Sequence, residues 1–165
     1  MTDQDTIRNL AAAVVEELAA GGRAVCTAES CTGGWIAKSI TDIPGASAVF
    51  HYGIVSYSNG AKESLLGVGN GTLARFGSVS EAVVREMAEG AVRLSGADIG
   101  VAVSGVAGPD GGSEEKPVGT VWFAWAMRNR DKLSVDTDRQ RFDGNRERVR
   151  ALTVVYALQG VLDRV

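Results

Sequence analysis

Three short apolar runs constrain this chain more than anything else in it: "AVCTA" at 24–28, "AVFHYGIVSY" at 48–57 and "DIGVAVSG" at 98–105. Each is too short for a buried helix and is rich in β-branched or aromatic residues, so each reads as a strand. Between them lie stretches with helical periodicity. Ile7, Leu10, Ala11, Val14, Val15 and Leu18 recur at helical spacing before Gly21-Gly22 stops the pattern. A short helix follows Gly33-Gly34 and ends before Pro44-Gly45, another runs from about Asn59 to Leu66, and a helical piece surrounds Leu73. Ser80 reads as the N-cap of a helix carrying Val83, Val84, Met87, Ala91, Val92 and Leu94, closed by Gly96. After a Gly- and Pro-rich loop at 106–117, "VGTVWFAWAM" and "KLSVDTDRQRF" are joined by the polar turn "RNRD" as an antiparallel pair, the second at a sheet edge. A closing helix carries Val149, Leu152, Val155, Tyr156, Leu158 and Leu162. Strands alternating with helices and then a hairpin predict an α/β fold, a three-layer α/β/α sandwich with a mixed, mainly parallel sheet, formed by residues 1–165 as a single domain.

Composition removes several classes of function. The formal net charge of −3 argues against a nucleic-acid binder, which needs a basic face to release counterions. No apolar run approaches the roughly 20 residues of a membrane span, and the acidic, polar start "MTDQDTIRNL" is unlike a signal peptide. Two cysteines, Cys26 and Cys31, and one histidine make neither a disulfide framework nor a metal-ligand set. The expectation is a cytoplasmic protein with no metal, nucleic-acid or membrane partner.

Sites in open α/β sheets gather where strands end in loops that lead to helices. Three such junctions are polar and glycine-rich here: "TAESCTGG", "VSYSNGAK" and "AVSGVAGPDGG". Glycines at turns are ordinary, but three such ends in one small sheet point to a shared cleft. The familiar nucleotide loops G-x-G-x-x-G and G-x-x-x-x-G-K-[ST] are absent, and "ESCTG" lacks the flanking glycines of the hydrolase elbow.

The first junction places Ser30, Cys31 and Thr32 side by side. A Ser-His-Asp triad has only His51 available, in the middle of a strand, where a packed or edge role is the plainer reading. Lys62 is the better base. It lies just inside a helix capped by Ser58 or Asn59, where the dipole disfavours an ammonium and desolvation acts in the same sense. A lysine must fall several units from about 10.4 to act as a base at neutral pH. The bland alternative is a solvated surface lysine. Between Ser30 and Cys31 the residues alone leave the nucleophile open, since a thiol is intrinsically the stronger one.

Four blocks, "TAESCTGGWIAKSITDIPGASAVFHYGIVSYSNGAKESLLGV", "GSVSEAVVREMAEGA", "VSGVAGPDGGSEEKPVGTVWFAWA" and "FDGNRERVR", resemble the C-terminal domain of the competence/damage-inducible protein CinA, in its stand-alone bacterial form. The resemblance spans nearly the whole chain. It implies an amidohydrolase that converts nicotinamide mononucleotide (NMN) to nicotinic acid mononucleotide and ammonia, recycling pyridine nucleotides without a cofactor. It further implies Ser30 as nucleophile, Lys62 as general base and Tyr57 as an assisting hydroxyl. Ser104 stands where the family commonly has threonine, which weakens its implied role in positioning Ser30 or Lys62. The nucleotide-pyrophosphatase domain of full-length CinA proteins has no counterpart in these residues.

Around that core, Glu29, Cys31, Thr32, Gly33, Gly34, Gly105 and Arg146 are expected to hold the substrate. Backbone N–H groups between Cys31 and Gly34 suit an oxyanion, and Arg146, opening the last helix, suits the phosphate. The expected partner is the small-molecule substrate, in a homo-oligomer for which a dimer is favoured. The rival reading is a non-catalytic ligand- or partner-binding module. Whether Ser30 and Lys62 come within hydrogen-bond reach discriminates the two.

Overall fold

The computed structural model describes residues 2–165. Thr2 caps helix α1 (Asp3–Gly21), exchanging hydrogen bonds with Asp5 in a capping box, and Gly22 ends the helix in a left-handed conformation. Strand β1 (Val25–Glu29) follows, then α2 (Trp35–Thr41), a 3-10 turn (Ala46–Ala48) and β2 (Phe50–Val55). The chain continues through α3 (Asn59–Leu66), α4 (Asn70–Phe76) and α5 (Glu81–Ser95) into β3 (Ile99–Gly105). The hairpin β4 (Thr120–Asn129) and β5 (Lys132–Arg141) precedes the closing helix α6 (Arg146–Leu162).

The five strands form one mixed sheet in the order β2-β1-β3-β4-β5. β1 pairs in parallel with both β2 and β3, while β3–β4 and β4–β5 are antiparallel. Helices cover both faces, giving the three-layer α/β/α sandwich expected. β2 is the second edge of the sheet; only Ile54 is buried within it, and His51 is exposed. Its pairing with β1 shifts by one residue between Val25 and Cys26, and the strand, Phe50–Val55, is shorter than the apolar run 48–57 that announces it.

The two sheet faces differ in side-chain size. One carries Val25, Ile99, Val101, Val103, Val121, Phe123 and Trp125 against α1, α2 and α6. The other presents Cys26, Ala28, Ala102, Ala124 and Ala126 to α3, α4 and α5. Small residues allow α5 to approach closely: a Cβ on Gly100 would lie 2.6 Å from Val92 Cγ2. Gly90 of α5 in turn meets Leu66 of α3, whose carbonyl oxygen would be 2.0 Å from an added Cβ. α3 is thereby seated on α5, above the end of β1. No helix among the described residues is long and apolar enough to cross a membrane.

Candidate active site

β1 has β2 on one side and β3 on the other, so the ends of β1 and β3 flank the point where the chain's direction of winding switches, the favoured place for a site in such a sheet. Pairing continues one residue past the strand: the Ser30 amide donates to the Val103 carbonyl (3.1 Å), and the Ser56 amide donates to that of Glu29 (2.9 Å). Ser30 is held between both neighbours before the chain turns.

Alternation along β1 sends Glu29 and Ser30 to opposite faces. Glu29 is fully buried toward α2 and accepts from the Thr32 hydroxyl (2.5 Å) and the amides of Gly34 (3.2 Å), Ile36 (3.0 Å) and Ala37 (2.8 Å). It is the cap of α2, a helix whose N-cap position is Gly34 and has no side chain to serve. Gly33 and Gly34 have φ of +61° and +97°, so the loop after Ser30 needs their freedom to fold back onto Glu29. The hydrogen bonds of Glu29, expected among the substrate-binding residues, all go to its own loop and helix.

Ser30 faces α3. There Ser58 caps the helix by accepting from the Ala61 amide (3.1 Å), and Lys62 one turn in points back to the sheet. Lys62 Nζ lies 2.9 Å from Ser30 Oγ, 2.9 Å from the Ser56 carbonyl oxygen and 3.1 Å from that of Tyr57. Its side chain is only 1% exposed, against the bland expectation of a surface lysine. No ion pair among the described residues includes it. Burial therefore holds its pKa below the ordinary lysine value.

Cys31 turns the other way, into the core beneath α1, α2 and α6. Desolvation pushes its thiol up to about 12. At neutral pH it is protonated, and no hydrogen bond joins it to Lys62, whose Nζ goes to Ser30, Ser56 and Tyr57.

The remaining expected residues are arranged around this pair with varying closeness. Tyr57 contributes its backbone carbonyl to Lys62, while its exposed hydroxyl accepts from Arg146 Nη2 (3.1 Å). Arg146 also donates through Nη1 to the Gly108 carbonyl (2.8 Å), tying α6 to the β2 and β3 loops. Ser104 is buried beside Ser30 in the sheet, but its hydroxyl donates to the Ser78 carbonyl (2.8 Å) and not to the pair. Gly105 is required by strand packing: a Cβ there would lie 2.7 Å from Val121 Cγ2 and 2.8 Å from the Thr120 oxygen. Of the loop amides, Gly33 donates to the Ser30 carbonyl and Gly34 to Glu29. The Cys31 amide meets its own thiol, and that of Thr32 makes no hydrogen bond to backbone or side chain among the described residues.

Two contributors escaped the sequence. Arg150 donates to the carbonyls of Cys31 (3.1 Å) and Thr32 (2.9 Å), clamping α6 onto the loop after Ser30; its only signal was a position one turn after Arg146. Ser56 is fully buried next to Ser30, and its hydroxyl has no partner. No group of three or more potential metal ligands occurs among the described residues.

Known proteins resemble this chain over almost its full length. It is 54% identical over 159 residues to "Nicotinamide-nucleotide amidohydrolase PncC" of Escherichia coli K12, covering 96% of this chain and 94% of that protein. The protein of the same name from Pseudomonas putida is 52% identical over 158 residues, covering 96% of each. The crystal structure of competence damage-inducible protein A from Klebsiella pneumoniae superposes with a TM-score of 0.91 at 43% identity, covering 96% of both chains. The competence/damage-inducible protein of Agrobacterium tumefaciens gives 0.89 at 43% identity, covering 96% of this chain and 94% of that one. The CinA C-terminal domain family matches residues 7–165, and the chain belongs to that family.

Proposed function

We propose that this protein is an amidohydrolase that converts NMN to nicotinic acid mononucleotide and ammonia, with Ser30 as nucleophile and Lys62 as its general base. The observation that carries the reading is the coordination of Lys62. A neutral amine has two N–H donors and one lone pair. The carbonyls of Ser56 and Tyr57 take the two donors, so the lone pair is left for the proton of Ser30 Oγ. Burial without a carboxylate favours that neutral form. The relatives named as nicotinamide-nucleotide amidohydrolases support the choice of substrate.

Lys62 takes the hydroxyl proton as Ser30 Oγ bonds to the carboxamide carbon, and the carbonyl π electrons move onto oxygen. The ammonium so formed has three acceptors ready in the two carbonyls and Ser30 Oγ. The oxyanion is met by the amide of Thr32. Collapse of this intermediate expels the amide nitrogen, which takes the proton from Lys62 and leaves as ammonia, with an ester on Ser30. Water then gives its proton to Lys62 and attacks the ester; the acid departs and the proton returns to Ser30. Arg146, with three of its five N–H donors still free of the Tyr57 and Gly108 contacts, faces the phosphate monoester.

The test is product stoichiometry. Purified protein with NMN should release ammonia and nicotinic acid mononucleotide in equal amounts. Ammonia-free reaction mixtures with unconsumed NMN would overturn the assignment and favour a binding module.

A further inference from the structure

A second concavity in the protein does not contain Ser30. It is a cavity of about 930 Å³ between the end of α4, the start of α5, the 106–119 loop and the outer face of β4–β5. That volume lies in the upper range for small-molecule sites. Four cationic side chains line it, Arg75, Arg85, Lys116 and Arg139, against two carboxylates, Glu81 and Glu115, in a protein whose net charge is −3. Only Arg85 pairs with a carboxylate, Glu81, at 3.5 Å. Lys116 donates to the Phe76 carbonyl (2.7 Å) and Arg139 to that of Glu115 (2.7 Å), while Arg75 lies over the Phe76 ring at 5.0 Å. These contacts fix three cations in place without neutralising them, and each retains unused donors. Phe76 and Trp122 add aromatic walls; Phe76 is exposed and Trp122 half-buried.

Fixed, unneutralised guanidinium and ammonium groups recognise phosphate, and exposed aromatic faces recognise a planar ring. We infer that this cavity binds a nucleoside monophosphate, with the phosphate on Arg75, Lys116 and Arg139 and the base against Trp122 or Phe76. Its position ties it to the site already described. The sheet register continues from Ser30 to Ser104, from Ser104 to Trp122 and from Trp122 to Arg139, all on one face. At the usual strand spacing Trp122 stands roughly 10 Å from Ser30. Ser80, in the cavity wall, caps α5 by accepting from Val83, and two residues earlier the Ser78 carbonyl holds the Ser104 hydroxyl. The nucleotide is a second molecule beside the substrate, whose own phosphate goes to Arg146; only that distinction rests on the deamidase reading.

Calorimetric titration of the full chain carrying Ser30→Ala, with NMN, AMP and nicotinamide riboside as probes, tests this. Adding Arg75→Ala and Arg139→Ala together should weaken NMN or AMP binding at least about tenfold, the expected loss for charge-assisted contacts, and leave the riboside within twofold. Arg139→Lys, which keeps the charge, should restore part of the affinity. Both arginines are exposed, so thermal unfolding should be unchanged; should the pair fail to fold, Trp122→Leu serves in its place, with the same tenfold expectation. One equivalent of NMN bound, with KM raised in the otherwise wild-type double variant, would place the substrate's own phosphate in this cavity and overturn the inference of a second nucleotide. Two equivalents with KM unchanged identify a second nucleotide. Unaltered NMN and AMP affinities in the variants would overturn the inference, whereas a wild type that releases no ammonia while AMP still binds here would overturn only the deamidase reading.

Discussion

Lys62 Nζ sits 2.9 Å from Ser30 Oγ, buried and without a carboxylate partner, with two backbone carbonyls as its other neighbours. The arrangement joins two strand ends and one helix start, since Ser30 follows β1, the carbonyls follow β2 and the amine comes from α3. It also dictates how the protein should respond to pH.

The rate of ammonia release from NMN should rise with pH along a single ionisation whose midpoint lies below 10.5, as Lys62 loses its proton more easily than a free lysine. Lys62→Arg should lose activity by about 100-fold or more at neutral pH, because a guanidinium stays protonated. A midpoint at or above 10.5, or an active arginine variant, would contradict the assignment.

The same group leaves a signature in stability. With its folded pKa lowered and the unfolded value ordinary, the unfolded chain binds the proton more tightly, so stability rises with pH between the two values. Below the folded value the penalty for the buried ammonium is complete. Urea unfolding of wild type should show that rise toward pH 10.5, and Lys62→Met should lack it.

Cys31, with its thiol pushed up to about 12 and packed in the core, should react with iodoacetamide only when the protein opens. Native alkylation should be slow and should speed up with denaturant, and Cys31→Ala should cost about 1 kcal/mol of stability. Rapid, stoichiometric alkylation of folded protein would count against this placement.

Glu29→Gln tests the cap of α2. The amide nitrogen would meet N–H or O–H donors where an acceptor now stands, and about 2–3 kcal/mol of stability should be lost. Because Ser30 is the next residue, kcat should fall with little change in KM. Unchanged unfolding and kcat would contradict the capping role.

Gly90→Ala should act on catalysis from a distance. Its methyl would press on the Leu66 carbonyl and push α3 off α5, costing about 1–3 kcal/mol and loosening Lys62. Ammonia release should fall in parallel with the melting temperature. A fully active, fully stable variant would mean that α3 is seated by something else.

The sequence announced much of this because its signals are local. β1 and β3 are buried apolar runs, the caps Ser58 and Ser80 precede their helices, and "ESCTGG" concentrates hydroxyls and glycines at a strand end. Placing Lys62 near Ser30 required the β2–β1–β3 order, which periodicity does not encode but the family resemblance does. The capping role of Glu29 was not legible because a carboxylate in a candidate loop reads as a ligand-facing group, and only strand alternation with the missing side-chain cap at Gly34 shows it serving α2. Ser104 was expected to support the pair, yet the Ser78 carbonyl, 26 residues away in sequence, holds its hydroxyl. Arg150 and Ser56 were invisible for the same reason, since their roles depend on partners that only the tertiary fold brings near. The cationic cavity draws Arg75, Lys116 and Arg139 from three separate segments, none of them a basic run.

The central claim is that Ser30 and Lys62 act together while Cys31 does not, and ammonia release from NMN by Ser30→Ala, Lys62→Ala and Cys31→Ala proteins tests it most directly. Turnover should fall at least about 100-fold in the first two and stay within about threefold of wild type in the third. Loss confined to Cys31→Ala, with the serine and lysine variants active, would contradict it.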